Sequence, residues 1–319
     1  MKALVFGISG QDGSYLSEHL LEAGHEVYGM IRRHSTPESQ HSRIDHLNTK
    51  LYYGDLTDPT SIEKIITEVR PDLIFNLAAQ SHVRVSFDIP QYTIQVNALG
   101  VVNILEAYRR LCPEARFYQA SSSEMFGLSV DTDGYQREET PMNPTSPYGC
   151  AKVMAYNMVR HYRRAYGLHA CNGILFNHES PRRGANFVTQ KVVRGACDIK
   201  LGRKSDIELG NLDSYRDWGH SKDYTAAMLK IINHPVPLDF IVATGEAHSV
   251  RDMCQEVFSY LGMDYRNYVK SNQIYTRPEE LPYLCGCSEK AQYLLDWKPQ
   301  YRFKDILVEM VDAYLGSQR

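Results

Sequence analysis

The sequence predicts an α/β fold, a doubly wound parallel sheet with a smaller, mostly helical and irregular lobe that binds a substrate. Two observations carry this prediction. Apolar, strand-like runs alternate with helical patterns five times before residue 121, as in a parallel sheet with helices on both faces. Beyond residue 176 irregular, basic and aromatic segments interrupt the alternation. We therefore expect one domain over residues 1–176 plus about 221–245, and a second over about 177–220 plus 246–319.

The individual elements are predicted from the period of their apolar residues and from the turn residues between them. The predicted strands are 2–6, 26–31, 51–53, 71–76, 116–120, 169–176 and 240–244, and the main predicted helices are 62–69, 92–111, 148–166, 223–232 and 303–315.

Length and composition restrict the classes of function. A chain of 319 residues has room for two domains, and its formal net charge is only −3, so neither nucleic acid nor a membrane surface is an expected partner. No run approaches the ~18 apolar residues that cross a bilayer, and the chain starts directly with a strand. We expect a cytoplasmic protein with reduced cysteines, because the seven cysteines have no framework spacing, and no metal site.

The first strand leads into the turn Gly7-Ile-Ser-Gly10-Gln11-Asp12-Gly13, and a helical pattern follows at once. Glycines between a strand and a helix let the backbone approach a pyrophosphate, which the N-terminus of the helix can bind. The spacing is Gly-x-x-Gly-x-x-Gly and differs from the commonest dinucleotide fingerprint, Gly-x-Gly-x-x-Gly. Its position at the first strand-to-helix turn nevertheless predicts a Rossmann-type dinucleotide site.

The next two strands end in groups that can select the cofactor. The second strand is followed by Arg32-Arg33-His34, and arginines at this point suit the 2′-phosphate of NADP, whereas an NAD site usually has an acidic residue there. The third strand is followed by Asp55 and Leu56, and from this position Asp55 can reach an adenine amino group. These residues favour NADP.

Small and polar residues follow the fourth and fifth strands. The fourth ends before Leu77, Ala79 and Ser81, and the fifth runs into Ser122 and Glu124. Small side chains at a strand end leave room for a cofactor. Because the carboxyl ends of parallel strands meet at one edge of the sheet, we expect these groups and the glycine turn to border one ligand crevice.

A phenol and an ammonium at positions i and i+4 of a predicted helix point to proton transfer. Tyr148 and Lys152 share one helix face at this spacing. A free tyrosine is a poor base, and a nearby lysine cation favours phenolate and lowers the pKa of the phenol. The hydroxyl of Ser122 can share the same proton. On its own, Tyr-x-x-x-Lys also fits an ordinary solvated helix face.

The predicted second lobe contains widely separated basic residues in predicted loops. Lys191, Arg216 and Arg277 each lie near Asn, Gly, Asp or Pro, and side chains of this type can hold a diphosphate. The alternative is ordinary surface charge.

Several longer strings in the chain carry information about its family. They are Gly-Ile-Ser-Gly-Gln-Asp-Gly-Ser-Tyr-Leu (7–16), Arg-Arg (32–33), Leu-Ala-Ala-Gln-Ser-His-Val (77–83), Gln-Ala-Ser-Ser-Ser-Glu-Met-Phe-Gly (119–127), Gly-Ile-Leu-Phe-Asn-His-Glu-Ser-Pro-Arg-Arg-Gly (173–184), Arg-Asp-Trp-Gly-His (216–220) and Arg-Pro-Glu-Glu (277–280). Together they resemble the extended short-chain dehydrogenase/reductase family and, within it, the GDP-mannose 4,6-dehydratases. The likeness extends over nearly the whole chain.

The resemblance implies both the site residues and the chemistry. Tyr148, with Lys152 and Ser122, takes the proton of the sugar 4-hydroxyl while hydride leaves C4 for NADP. Glu124 then removes the C5 proton, water leaves from C6, and hydride returns to C6. A simple reductase or epimerase needs no such carboxylate. The residues that it implies for the GDP-sugar are Ser81, Ser86, Asn177, Lys191, Arg216, Arg277 and Glu280.

Three other functions remain open from the sequence. The substrate can be another GDP-sugar such as a GDP-manno-heptose, which needs a roomier pocket near Ser81, Ser86 and Asn177. A GDP-4-keto-sugar reductase is a second alternative. A cofactor-binding regulator without catalysis is a third, but it would have no need of the intact catalytic residues. The resemblance also implies a homodimer or homotetramer, with helices such as 92–111 and 148–166 at the dimer contact and the Arg32-Arg33 loop reaching a neighbour.

Overall fold

A computed structural model describes residues 1–33, 42–275 and 277–318. Its strands are β1 (Lys2–Phe6), β2 (Glu26–Ile31), β3 (Lys50–Tyr53), β4 (Leu73–Asn76), β5 (Arg116–Ser122), β6 (His169–Leu175), β7 (Asn177–Glu179), β8 (Ile207–Leu209), β9 (Tyr215–His220), β10 (Asp239–Val242), β11 (Ala247–Ser249), β12 (Val269–Ser271) and β13 (Tyr283–Leu284). Its α-helices are α1 (Gln11–Glu22), α2 (Pro59–Val69), α3 (Val83–Asp88), α4 (Pro90–Ile94), α5 (Gly100–Leu111), α6 (Pro147–Tyr166), α7 (Val188–Lys200), α8 (Ser221–Asn233), α9 (Val250–Tyr260), α10 (Glu289–Leu295) and α11 (Phe303–Gly316).

The main sheet confirms the predicted fold class. Over the described residues it has seven strands in the order β10-β6-β5-β4-β1-β2-β3, and every pair is parallel. Each strand end lies within two residues of its predicted position. The winding reverses between β1 and β4, and ligands of doubly wound sheets bind beside this switch point, at the carboxyl ends of the strands.

Both faces of the sheet are covered, which explains why its strands read as continuous apolar runs. In β4, Leu73 and Phe75 pack in the core beneath α1 and α8, whereas Ile74 packs in the core beneath α2 and α5. All three side chains have no exposed surface. Burying such a side chain contributes roughly 1.5–3 kcal/mol, so these cores hold the strand ends in fixed positions.

The predicted helix over residues 92–111 is interrupted. Residues Gln95–Leu99 form a wider, π-helical turn between α4 and α5, and such turns are frequent at functional sites. The turn carries Asn97, whose side-chain oxygen accepts the Gln80 backbone N–H at 2.8 Å and whose amide donates to the Gln80 carbonyl at 2.9 Å. Asn97 therefore fixes the loop that follows β4.

Residues 177–220 and 246–319, the predicted second lobe, contain more strand than the sequence predicted. Helices α7, α9 and α11 share an apolar core with Trp218 of β9. Beside them, β9 pairs with β7, β11 and β13, and β8 pairs with β12. These strands are two to six residues long, too short for a periodic pattern to show in the sequence. None of the described helices is long and apolar enough to cross a membrane.

Candidate active site

A cleft of about 530 Å³ opens at the carboxyl ends of the main-sheet strands and extends along the second lobe. It brings together residues that are far apart in the sequence and that were predicted to bind cofactor, to bind substrate or to react. The predicted residues that line it are Asp12, Leu77, Ala79, Ser81, Ser122, Glu124, Tyr148, Lys152, Asn177, Lys191, Arg216, Arg277 and Glu280.

The glycine turn has the shape that a pyrophosphate needs. Gly7 has a φ of +84°, which L side chains rarely adopt. A Cβ on Gly13 would lie 2.4 Å from the Gly7 carbonyl oxygen and 2.5 Å from that of Ile8. Gly10 is the N-cap of α1 and carries no side chain that would cover the helix N-terminus. The residues present therefore fit a dinucleotide whose phosphates approach the backbone.

We expect Gly13→Ala to disrupt this turn. The new methyl group meets backbone atoms that cannot rotate away, so the free energy of unfolding should fall by about 1–3 kcal/mol and the Kd for NADP should rise. Urea unfolding and calorimetric titration with NADP measure the two effects. Gly316→Ala is the matched control, because a Cβ there has no neighbour within 4 Å. Unchanged stability and NADP affinity in Gly13→Ala would contradict the assignment of the turn.

Gln11 and Asp12 connect the glycine turn to β7 and the segment after it. The Gln11 amide donates to the His178 carbonyl at 3.2 Å, and its oxygen accepts the Ser180 hydroxyl at 2.8 Å. Asp12 and His178 form an ion pair at 2.7 Å. Burial alone would raise the pKa of Asp12, but the charge and hydrogen bond of His178 lower it. The charge and hydrogen bond of Asp12 in turn raise the pKa of His178, although burial alone would lower it.

The residues predicted for the adenosine half lie outside the lining of this cleft. Arg32 directly follows β2, and its guanidinium donates to the hydroxyl of Tyr92. Asp55 follows β3, and its carboxylate accepts the backbone N–H of Thr57 at 2.9 Å and the hydroxyl of the same residue at 2.8 Å. Leu56 is buried. His34, the third residue of the predicted basic run, lies outside the described residues.

Ser122, Tyr148 and Lys152 meet where β5 and α6 face the cleft. The hydroxyl of Ser122 lies close enough to the Tyr148 phenol to lower its pKa. The Lys152 ammonium lies 5.7 Å from the centre of the Tyr148 ring and donates to the Ala120 carbonyl at 2.7 Å. The start of α6 is fixed by an N-cap, in which the Ser146 hydroxyl accepts the Gly149 N–H at 3.0 Å.

The sequence predicted that the pKa of Tyr148 is lowered. With the protein's own groups alone this direction is wrong. Burial raises the pKa of Tyr148 to about 12, and the nearby hydroxyl of Ser122 opposes this only in part. Burial also lowers the pKa of Lys152 to about 8. The physical reason is that a desolvated site disfavours the charged form of both groups. A cationic lysine therefore does not by itself make this phenol a base.

Glu124 lies in the short turn after β5 and points to the second lobe. The Ser122 hydroxyl accepts the Glu124 backbone N–H at 3.3 Å, which places the carboxylate next to the Ser122 and Tyr148 pair. The Glu124 side chain is ion-paired with Arg277 at 3.2 Å. A carboxylate at this position can remove a proton from a substrate that also reaches Tyr148.

The predicted substrate residues differ in how they are held. Arg216 is buried, which lowers its pKa, and it donates to the carbonyls of Tyr215 and Leu281. The Lys191 ammonium lies 3.7 Å from the centre of the Tyr275 ring. The Glu280 carboxylate accepts the backbone N–H of Arg277, the residue that pairs with Glu124. Arg216 therefore has a rigid position, whereas Lys191 supports an aromatic ring at the cleft.

Ser86 is not among the described residues that line the cleft. Its hydroxyl donates to the Val83 carbonyl at 2.6 Å and accepts the backbone N–H of Tyr148 at 3.3 Å. These contacts hold the first turn of α6, so Ser86 positions Tyr148. A direct role of Ser86 in binding substrate stays a prediction.

The profile of the GDP-mannose 4,6 dehydratase family matches residues 4–310. The chain belongs to the GDP-mannose 4,6-dehydratase family. A relative from Arabidopsis thaliana, GDP-mannose 4,6 dehydratase 2, is 48% identical over 98% of this chain and 86% of its own length. The GDP-mannose 4,6 dehydratase of Cricetulus griseus is 46% identical over 99% of this chain and 92% of its own length.

Solved structures place this GDP-mannose 4,6-dehydratase family member among short-chain dehydrogenase/reductase folds. The UDP-glucose 4-epimerase of Thermus thermophilus, solved in complex with NAD, aligns with a TM-score of 0.87 and 25% identity, over 99% of this chain and 100% of that one. The fold thus belongs to a group that includes nicotinamide-dependent enzymes acting on nucleotide sugars.

Sequence reasoning missed three cleft residues that follow Asn177 in the family string, His178, Glu179 and Arg183. His178 pairs with Asp12. Arg183 pairs with Glu179 at 3.0 Å, and both line the cleft. Their position directly after β6, at the carboxyl edge of the sheet, was the available indication. Over residues 1–33, 42–275 and 277–318, no three His, Cys, Asp or Glu side chains are grouped to hold a metal ion.

Proposed function

We propose that the chain converts GDP-D-mannose to GDP-4-keto-6-deoxy-D-mannose and water, with bound NADP and no net oxidation. The observation that supports it best is the placement of a carboxylate, Glu124, in the same cleft as Ser122, Tyr148 and Lys152. An epimerase or reductase of this fold needs only the last three. The family match to GDP-mannose 4,6-dehydratases supports the same reaction.

The chain's own residues divide the proton transfers between two places. Tyr148 takes the proton of the sugar 4-hydroxyl, and Ser122 holds the phenol oxygen in position. Once C4 is a ketone, the hydrogen on C5 is acidic and Glu124 removes it. The C6 hydroxyl takes up a proton and leaves as water, and C5 is protonated again when hydride returns to C6. Tyr148 and Glu124 hold the two protons that these steps need, so none is gained or lost overall. The bound nicotinamide supplies the hydride acceptor for C4, the hydride donor for C6, and in its oxidised form a positive charge that favours phenolate at Tyr148.

The second lobe binds the GDP part of the substrate in this proposal. Arg216 and Arg277 provide guanidinium groups for the diphosphate, because planar guanidinium forks match phosphate oxygens. Asn177 and Ser81 line the same cleft, and we assign them contacts with the sugar. The exposed ring of Tyr275, supported by Lys191, offers a surface on which the guanine can stack.

The preference for NADP over NAD is assigned to Arg32. Its guanidinium follows β2, where the adenosine ribose of a Rossmann-type cofactor lies. We expect Arg32→Ala to weaken NADP binding by about 10- to 100-fold, the value of one or two charge-assisted hydrogen bonds. NAD is the control ligand, because it lacks the 2′-phosphate. Equal losses of NADP and NAD affinity, measured by calorimetric titration, would contradict this role of Arg32.

We also propose a homodimer or homotetramer. Four apolar side chains each expose more than a third of their surface: Ile94 at the end of α4, Leu99 directly before α5, and Met154 and Tyr166 of α6. Exposed apolar side chains of neighbouring helices are typical of a contact between subunits. Light scattering on the purified protein measures the assembly.

The direct test is to incubate the NADP-supplemented protein with GDP-mannose, without an added reductant, and to follow the nucleotide sugar by mass spectrometry. The proposal expects the loss of one water. No turnover would exclude GDP-mannose as the substrate, and the same assay on a GDP-manno-heptose would then test the roomier pocket. Turnover of a GDP-4-keto sugar only with added NADPH would indicate a reductase.

A further inference from the structure

Glu124 and Arg277 join the reacting part of the proposed site to its diphosphate part. Arg277 Nη1 lies 3.2 Å from Oε1 and 3.4 Å from Oε2 of Glu124. The Glu124 side chain is 9% exposed and that of Arg277 is 25% exposed, so the pair is screened less than a pair in open solvent. One nitrogen of the guanidinium thus contacts both oxygens of the carboxylate that we assign as the C5 base.

The charges around this pair are balanced before a substrate enters. Arg216 is buried beside the pair, and Glu124, Arg277 and Glu280 all act on it electrostatically. These four groups carry two positive and two negative charges. A substrate diphosphate adds about two negative charges. The guanidinium groups that neutralise these charges must come from arginines that already have partners.

The two arginines differ in their freedom to respond. Arg216 is buried and donates to the carbonyls of Tyr215 and Leu281, so its guanidinium is fixed. Arg277 is held through its backbone, where its N–H donates to Glu280 Oε1 at 2.7 Å. Its guanidinium is partly exposed and is held by the contact with Glu124, a partner that an anion entering the cleft can replace. Arg277 is therefore the guanidinium that can change partners.

We propose that Arg277 is a positioning residue that passes from Glu124 to the diphosphate of the nucleotide sugar, so that diphosphate binding frees the C5 base. This inference rests on the proposed function. While Arg277 contacts both oxygens of the carboxylate, neither oxygen is available to the C5 hydrogen of a substrate. The exchange therefore makes the elimination step depend on a group of the substrate that is remote from the reacting carbons.

The exchange predicts how GDP binding depends on Glu124. In the wild type, GDP must compete with the carboxylate for Arg277. Glu124→Gln removes the competitor and should tighten GDP binding by about three- to tenfold. In the Arg277→Ala protein, Glu124→Gln should alter the affinity for GDP less than about twofold. This remaining effect is the general repulsion between the Glu124 carboxylate and the phosphates. Guanosine, which has no phosphate, should bind all four proteins alike.

Calorimetric titration of the four proteins with GDP and with guanosine measures this cycle. Equal tightening by Glu124→Gln in both backgrounds would overturn the exchange, since charge repulsion alone would explain it. No tightening in either background would also overturn it, since Arg277 would then remain on Glu124. If Arg277→Ala unfolds, Arg277→Gln serves in its place. A wild type that does not bind GDP would contradict the proposed function itself, whereas GDP binding without coupling contradicts only the exchange.

Discussion

Replacing Tyr148 with phenylalanine is expected to lower kcat for water loss by about 10²- to 10⁴-fold, the usual contribution of a positioned proton-transfer group. The substitution removes only the hydroxyl and keeps the aromatic ring in the first turn of α6. Without the phenol oxygen, the group to which we assign the proton of the sugar 4-hydroxyl is missing, so the ketone that activates C5 should form far more slowly. Mass spectrometry of the nucleotide sugar measures the loss.

Tyr156→Phe is the matched control for this prediction. Tyr156 lies two turns further along α6, is buried, and has a pKa that burial raises to about 12. It resembles Tyr148 in environment but does not appear in the cleft lining. We expect its variant to keep turnover. Full activity in Tyr148→Phe, or an equal loss in Tyr156→Phe, would mean that the phenol of Tyr148 has no special role in the reaction.

The local features of this fold and site could be predicted from the sequence. Each strand of the main sheet is a short apolar run bounded by turn residues, and the glycine turn lies within seven consecutive positions. Tyr148 and Lys152 share a helix face because their spacing matches the helix period. These inferences depend on residues that are near one another in the chain, so period and spacing were sufficient.

Contacts between distant segments could not be predicted in the same way. The pair of Glu124 and Arg277 joins positions 153 residues apart, and Gln11 reaches β7 across 167 residues. The Tyr148 pKa was predicted in the wrong direction for a related reason. The sequence shows that a lysine is near, but the amount of burial depends on how β5, α6 and the second lobe close around the phenol, and here burial dominates.

Glu124→Gln is the second change with a large expected effect. Glutamine keeps the shape of the side chain but has no lone pair basic enough to remove the C5 proton, so kcat for water loss should fall by about 10²- to 10⁴-fold. In heavy water the wild type should place deuterium on C5 of the product, because the proton taken by Glu124 exchanges with solvent before C5 is protonated again. The variant should show neither water loss nor deuterium at C5.

This prediction separates the proposed dehydratase from the other enzymes of the same fold. A reductase or epimerase that uses only Ser122, Tyr148 and Lys152 would tolerate Glu124→Gln. Glu139→Gln is the control, since Glu139 is an exposed carboxylate in the loop before α6 and its variant should retain both water loss and C5 deuterium. Persistent water loss in Glu124→Gln would remove Glu124 as the essential base. Because Arg277 pairs with Glu124, such a result would leave the carboxylate only a role in holding the guanidinium that receives the diphosphate.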